Sequence, residues 1–114
     1  MYKAVILILT FLSACSRGPP ADLQYIKQAR SIAAEWALIN NQAKADNLTS
    51  TYVVSMHQSL RENLQTAFDS LSDKHSSYGE QMNALLAERA DAAPAELRAR
   101  AEALKRIEDD LESA

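Results

Sequence analysis

Residues 22–45 read DLQYIKQARSIAAEWALINNQAKA. Apolar side chains recur along this stretch at Tyr25, Ile26, Ala29, Ile32, Ala33, Trp36, Ala37, Ile39 and Ala43. Steps of three and four residues line one face of an α-helix, and a strand would need steps of two. Gln24, Lys27, Gln28, Ser31, Glu35 and Gln42 fall on the opposite side, as water requires of a half-buried helix. Asp22 is a suitable N-cap, since its carboxylate can accept from a first-turn amide. Asp46-Asn47 then breaks the pattern after Ala45. A helix this long with one apolar face needs partners, and the rest of the chain supplies them.

Leu48-Thr49 opens a second helix, with Thr49 as N-cap and Leu48 placed to staple onto Val53. Its apolar positions are Val53, Met56, Leu60, Leu64, Ala67, Phe68 and Leu71. Similar lengths and a short join make an antiparallel hairpin of the first two helices the natural arrangement. After the polar turn Ser72–Ser76, Ser77 with Glu80 three residues on reads as a capping box. It begins a shorter helix, expected to reach about Ala90 through Tyr78, Met82, Leu85 and Leu86. Pro94 suits the first position of a last helix, which carries Leu97, Ala101, Leu104, Ile107 and Leu111. Pairs such as Arg98/Glu102 and Lys105/Asp109 lie one turn apart on its outer faces. The expectation is an all-α protein: a small four-helix bundle over residues 22–114, with two long helices, one short helix and a C-terminal helix.

Composition agrees. Twenty alanines against two glycines favour helix. Twelve Lys and Arg against fifteen Asp and Glu give a net charge of −3, which argues against a phosphate-tracking surface and a nucleic-acid partner. One cysteine allows no internal disulfide and no Cys-based zinc site.

The N-terminus reads MYKAVILILTFLSAC. Lys3, then an apolar run from Ala4 to Leu12, then small residues, is the layout of a secretory signal peptide over residues 1–14. The apolar run is far short of the roughly 20 residues that a spanning helix needs. Leu12-Ser13-Ala14-Cys15 resembles the lipobox of bacterial lipoproteins. That resemblance implies cleavage between Ala14 and Cys15 and a diacylglycerol on the Cys15 thiol. Two acyl chains suffice for stable anchoring where one does not. Residues 15–21 would then be the lipidated cysteine and a short tether, Ser16-Arg17-Gly18-Pro19-Pro20-Ala21. Serine after the cysteine implies, by the sorting rule of enteric lipoproteins, the outer membrane more than the inner one. The alternative is a soluble secreted helical protein cut nearby, without lipid.

Chemistry is sparse. His57 lies in the apolar arc of the second helix without a ligand-spaced partner, and reads as a core-edge histidine bonded to a neighbouring helix. His75 lies in a polar turn and reads as solvated. Asn40 interrupts the apolar face of the first helix; it either fixes register between helices or marks a frayed end beside the loop, and the second reading is preferred. Arg30 and Arg61 border apolar faces and read as snorkelling stems. Trp36 reads as core, and Asp109-Asp110 as a solvated acidic face. Leu38 and Val54 point away from the main stripes of their helices. They either pack on the later helix pair or, exposed together, form a partner-binding patch. Phosphate-binding loops, nucleophile elbows and metal-ligand clusters are not found in the sequence. No enzyme, cofactor, metal or small-molecule substrate is therefore expected.

The later sequence resembles a group of short helical proteins of alphaproteobacteria. The likeness runs through Gln28–Ser31, Glu35–Leu38, Leu48-Thr49 with Tyr52-Val53, Ala93–Leu97 and Ile107–Asp109; it implies the helical fold and no particular activity. A fainter likeness is to periplasmic helical chaperones with an LTxxQ motif, where Leu48-Thr49-Ser50-Thr51-Tyr52 has tyrosine in place of glutamine. Two functions follow as expectations. One is a membrane-anchored, periplasm-facing interaction or structural module that binds another envelope protein; the other is a periplasmic chaperone or stress-sensing protein.

Overall fold

The computed structural model describes residues 19–114. Four α-helices follow one another: α1 (Pro19–Lys44), α2 (Ser50–Asp69), α3 (Ser77–Leu86) and α4 (Pro94–Ser113). No strand occurs among the described residues, and the fold is the small all-α bundle expected. The signal peptide, Ala14 and Cys15 lie outside the described residues. No helix among those described is long and apolar enough to cross a membrane.

Three helix boundaries differ from expectation, two for local reasons and one through a contact from α2. α1 begins three residues before Asp22, so Pro19-Pro20-Ala21 is helix rather than tether. Proline is tolerated in a first turn because the amide it lacks has no intrahelical partner there. Asp22 is therefore inside the helix and is not its N-cap. At α3 the cap is Ser76, whose hydroxyl accepts from the Gly79 amide at 3.1 Å; Ser77 is the first helical residue. α3 also stops at Leu86 rather than near Ala90. Arg61 of α2 donates to the Leu86 and Glu88 carbonyls at 2.7 and 2.9 Å. It thereby satisfies acceptors that an ending helix leaves open.

Other signals are realised as read. Thr49 caps α2, accepting from the Tyr52 amide at 3.2 Å. Pro94 occupies the first turn of α4. α1 closes through Asp46, which has φ 59°. The Asn47 amide reaches back to the Gln42 carbonyl at 3.0 Å, and the Asp46 amide to that of Ala43 at 3.1 Å. This left-handed stop usually belongs to glycine, with short polar side chains as the substitutes.

α1 is the central element. It packs most extensively on α4 and also on α2, while α2 and α4 do not meet; α3 bridges all three. Both long neighbours run antiparallel to α1. Near its start Asp22 meets Ser72 beyond α2, and near its end Asn40 meets His57 close to the start of α2. Lys27 and Arg30 pair with Glu112 and Glu108 of α4. The expected hairpin is thus present, but α4 is the larger partner of α1. Ala29, Ala33 and Ala37 form a buried stripe along α1. Small side chains at four-residue steps permit close helix approach. Around them Ile26, Leu64, Met82, Leu85, Leu97 and Leu104 are fully buried. Each such side chain contributes about 1.5–3 kcal/mol by leaving water.

Candidate functional site

Polar chemistry concentrates where the end of α1, the start of α2 and the segment joining α3 to α4 converge. Trp36 and Asn40 lie one turn apart on α1, facing that segment. The Trp36 indole N–H donates to the Ala90 carbonyl at 2.9 Å. The Asn40 Nδ2 donates to the Ala90 and Ala92 carbonyls at 3.0 and 2.8 Å. Asn40 is therefore a buried register-fixing residue, and the preferred reading of a frayed end is overturned. Unpaired loop carbonyls in the interior would be costly, and the amide removes that cost.

His57 completes the group. Its Nε2 lies 2.7 Å from Asn40 Oδ1, and its ring is tilted against Trp36 at 6.4 Å between centroids. The expectation of a core-edge histidine bonded to a neighbouring helix is met. Burial, and then the nearby Arg61 cation, hold the imidazole pKa below its usual 6.5, against the opposing pull of Asp91. The Arg61 guanidinium itself lies 5.8 Å from the Trp36 ring centroid. It is pinned by that face and by two carbonyls, with no ligand needed to explain it.

An open hollow of about 710 Å³ lies over this junction, with Leu48, Val53, Val54, His57, Asp46 and Asp91 among its walls. A smaller one of about 330 Å³ adjoins it past Asn40, Lys44 and Ala92, sharing Val53, His57 and Asp91. Arg89 and Asp91, both exposed, pair with each other at 3.1 Å on the rim.

Leu38 and Val54 are 56% and 65% exposed, so they do not pack on the later helices. Tyr52, 46% exposed, joins them; its place between the stripe positions of α2 gave no signal. The three belong to the half of the molecule nearer the α1–α2 turn. Val54 lines the larger hollow, whereas Leu38 does not.

At the opposite end Asp22 is 1% exposed and accepts four hydrogen bonds, two from Ser72 and one each from the Asp73 amide and the Tyr78 hydroxyl. Near the C-terminal end of α4, carboxylate oxygens of buried Glu108 and exposed Asp109 and Glu112 come together. Arg30, Lys105 and Lys27 pair with them respectively. Searches against protein-family models, curated proteins and solved structures return no match.

Proposed function

We propose that this chain is a lipid-anchored, periplasm-facing interaction module of the bacterial cell envelope, without enzymatic activity, held by a diacylglycerol on Cys15 and placed at the outer membrane. What carries the reading on the structural side is the placement of its exposed apolar residues. Among the described residues, Leu38, Tyr52 and Val54 are the large hydrophobic side chains left to solvent. All three belong to the half of the bundle that is farther from the N-terminal end of α1. From Pro19 to Ala43, 24 helical steps cover about 36 Å. With a tether at the start of α1, this end lies about 36 Å from the attachment point, where a second envelope protein can reach it. Exposed apolar groups on a small, alanine-rich bundle suit recognition through a helix face.

Two experiments in cells test it. Cys15→Ala is expected to move the protein from the membrane fraction to the soluble fraction, and the mass of the wild-type protein is expected to carry a diacylglyceryl addition. A photo-crosslinker at position 38 or 54 is expected to give one dominant product, lost with Leu38→Glu or Val54→Glu. A crosslinker at exposed Arg98 of α4 is the control. An unmodified thiol sinks the anchor. Many products of equal intensity, together with suppressed aggregation of unrelated unfolded proteins, point instead to the chaperone reading.

A further inference from the structure

The hollow at the α1–α2 turn has a chemical preference that follows from one amide. Both hydrogens of the Asn40 Nδ2 are engaged by the carbonyls of Ala90 and Ala92. Its Oδ1 therefore faces His57 as an acceptor, and the 2.7 Å contact requires a proton on His57 Nε2. In the neutral ring the other nitrogen, Nδ1, is then left with a lone pair and no proton. Nδ1 makes no hydrogen bond among the described residues and is not a buried unpartnered atom. Water reaches it, and His57 lines both hollows.

The charges of the larger hollow lean the same way. Arg89 is matched by Asp91 at 3.1 Å. Asp46 also lines this hollow and has no ion-pair partner among the described residues. Lys44 borders only the smaller hollow. Apart from Ser50, the remaining walls are apolar: Ala43, Leu48, Val53, Val54 and Ala90. An incoming anion would meet a fixed acceptor and an unmatched carboxylate. A group that donates hydrogen bonds, carries positive charge and trails an aliphatic stem meets the His57 acceptor, the Asp46 carboxylate and apolar walls. Arg89 is matched by Asp91, and Arg61 is engaged by two carbonyls.

We propose that the hollow is a docking site for a lysine side chain of a partner polypeptide, its stem against Leu48, Val53 and Val54, its ammonium shared by His57 Nδ1 and Asp46. This rests on the interaction-module reading and names the chemistry of the contact. The occupant is a lysine rather than an arginine because a single acceptor lone pair and one carboxylate suit a compact three-donor ammonium better than a planar fork.

The test uses the full-length protein as isolated from cells, in detergent micelles, titrated with acetyl-leucyl-lysine methylamide and followed by amide NMR. Peptides with norleucine or glutamate in place of lysine are the controls. Saturable shifts at Val53, Val54 and His57, larger for lysine than for either control, are the expected result. His57→Gln keeps a donor for Asn40 but lacks the second ring nitrogen, and Asp46→Asn keeps a residue tolerant of positive φ. Each is expected to weaken binding about five- to tenfold, the fold-change of one partly exposed charge-assisted hydrogen bond, with unchanged circular dichroism.

Equal binding of the norleucine peptide overturns the proposal, as does preference for glutamate. So does the lack of saturation up to about 10 mM, too weak to select a partner. Shifts at the same amides on raising protein concentration alone would place a second copy of the chain there, and overturn it too. A dominant crosslink in cells with no lysine preference in vitro would remove this inference and leave the interaction module standing.

Discussion

Replacing Asp22 is expected to be among the most damaging single changes in the bundle. Oδ1 accepts from the Ser72 amide at 2.8 Å; Oδ2 accepts from the Ser72 hydroxyl at 2.8 Å and the Tyr78 hydroxyl at 2.7 Å. The Asp73 amide adds a longer contact at 3.3 Å. Burial pushes the Asp22 pKa up, but the hydrogen bonds outweigh it and hold the pKa below the ordinary 3.8. Hydrogen bonds to a charged group contribute roughly 1.5–3 kcal/mol each, and those sharing one carboxylate are not additive. Asp22→Ala leaves the Tyr78 hydroxyl buried without its acceptor and frees the loop after α2; a loss of about 3–5 kcal/mol is expected, the scale of breaking a buried pair. Asp22→Asn keeps the shape but turns an amide hydrogen toward a donor, for a loss of about 2–4 kcal/mol. Tyr78→Phe removes one bond of four, for about 1–2 kcal/mol. A double-mutant cycle between Asp22→Ala and Tyr78→Phe should then show clear coupling. Urea unfolding followed by far-ultraviolet circular dichroism measures all of these. The linkage has a definite sign. A carboxyl whose folded pKa is lowered stabilises above its unfolded value of 3.8, and that contribution disappears as pH falls through the folded pKa. Asp22→Asn should remove this acid-side loss. A loss below about 1 kcal/mol for Asp22→Ala would refute the reasoning, since one charged hydrogen bond alone exceeds it.

Three further outcomes are expected. Gly79→Ala places a Cβ 2.3 Å from the Lys74 carbonyl oxygen and 2.7 Å from its carbon; the backbone of the turn must shift, and thermal unfolding should report a loss of about 1–3 kcal/mol. Asn40→Leu leaves the Ala92 carbonyl without its donor and His57 without its acceptor, so a loss of about 2–4 kcal/mol in urea is expected. His57 has a folded pKa below 6.5, so the unfolded chain binds the extra proton first; stability should fall as pH drops below 6.5 and level off under the folded value. His57→Gln should flatten that part of a stability–pH curve, and an unchanged slope would show that another group is responsible.

The helices were legible because each carries its own period and punctuation. Thr49 and Pro94 could be placed from neighbouring residues alone, since a cap and a first-turn proline are local chemistry. Trp36 and His57 were readable for the same reason, by their place on an apolar face. Asp22 was misplaced because two local rules competed. An aspartate before an apolar run looks like a cap, yet Pro19-Pro20 already fits a first turn and carries the start upstream. What the carboxylate does instead depends on Ser72 and Tyr78, fifty and more residues away. Asn40 failed similarly: whether a polar residue on an apolar face frays or anchors depends on which carbonyls reach it. The dominance of α4 over α2 as the partner of α1 lay in Arg30–Glu108 and Lys27–Glu112, pairs that no local window contains. Leu38 and Val54 were singled out correctly as odd. Their exposure, and the separation of Leu38 from the hollow, follow from α2 and α4 flanking α1 without meeting each other.

That central position of α1 has a mechanical side. The helix is bonded at one end through Asp22 and at the other through Trp36 and Asn40, with ion pairs to α4 along the way. Tension entering at Pro19 and resisted beside the α1–α2 turn acts parallel to the helix axis. α1 would then have to slide past two antiparallel neighbours, loading the buried contacts together rather than opening them in sequence. A pull directed sideways on the end of α4 loads its contacts one turn at a time, first the exposed Lys27–Glu112 pair and the partly buried Leu111, then Arg30–Glu108. The bundle should therefore resist force along the line joining its two ends better than force across it.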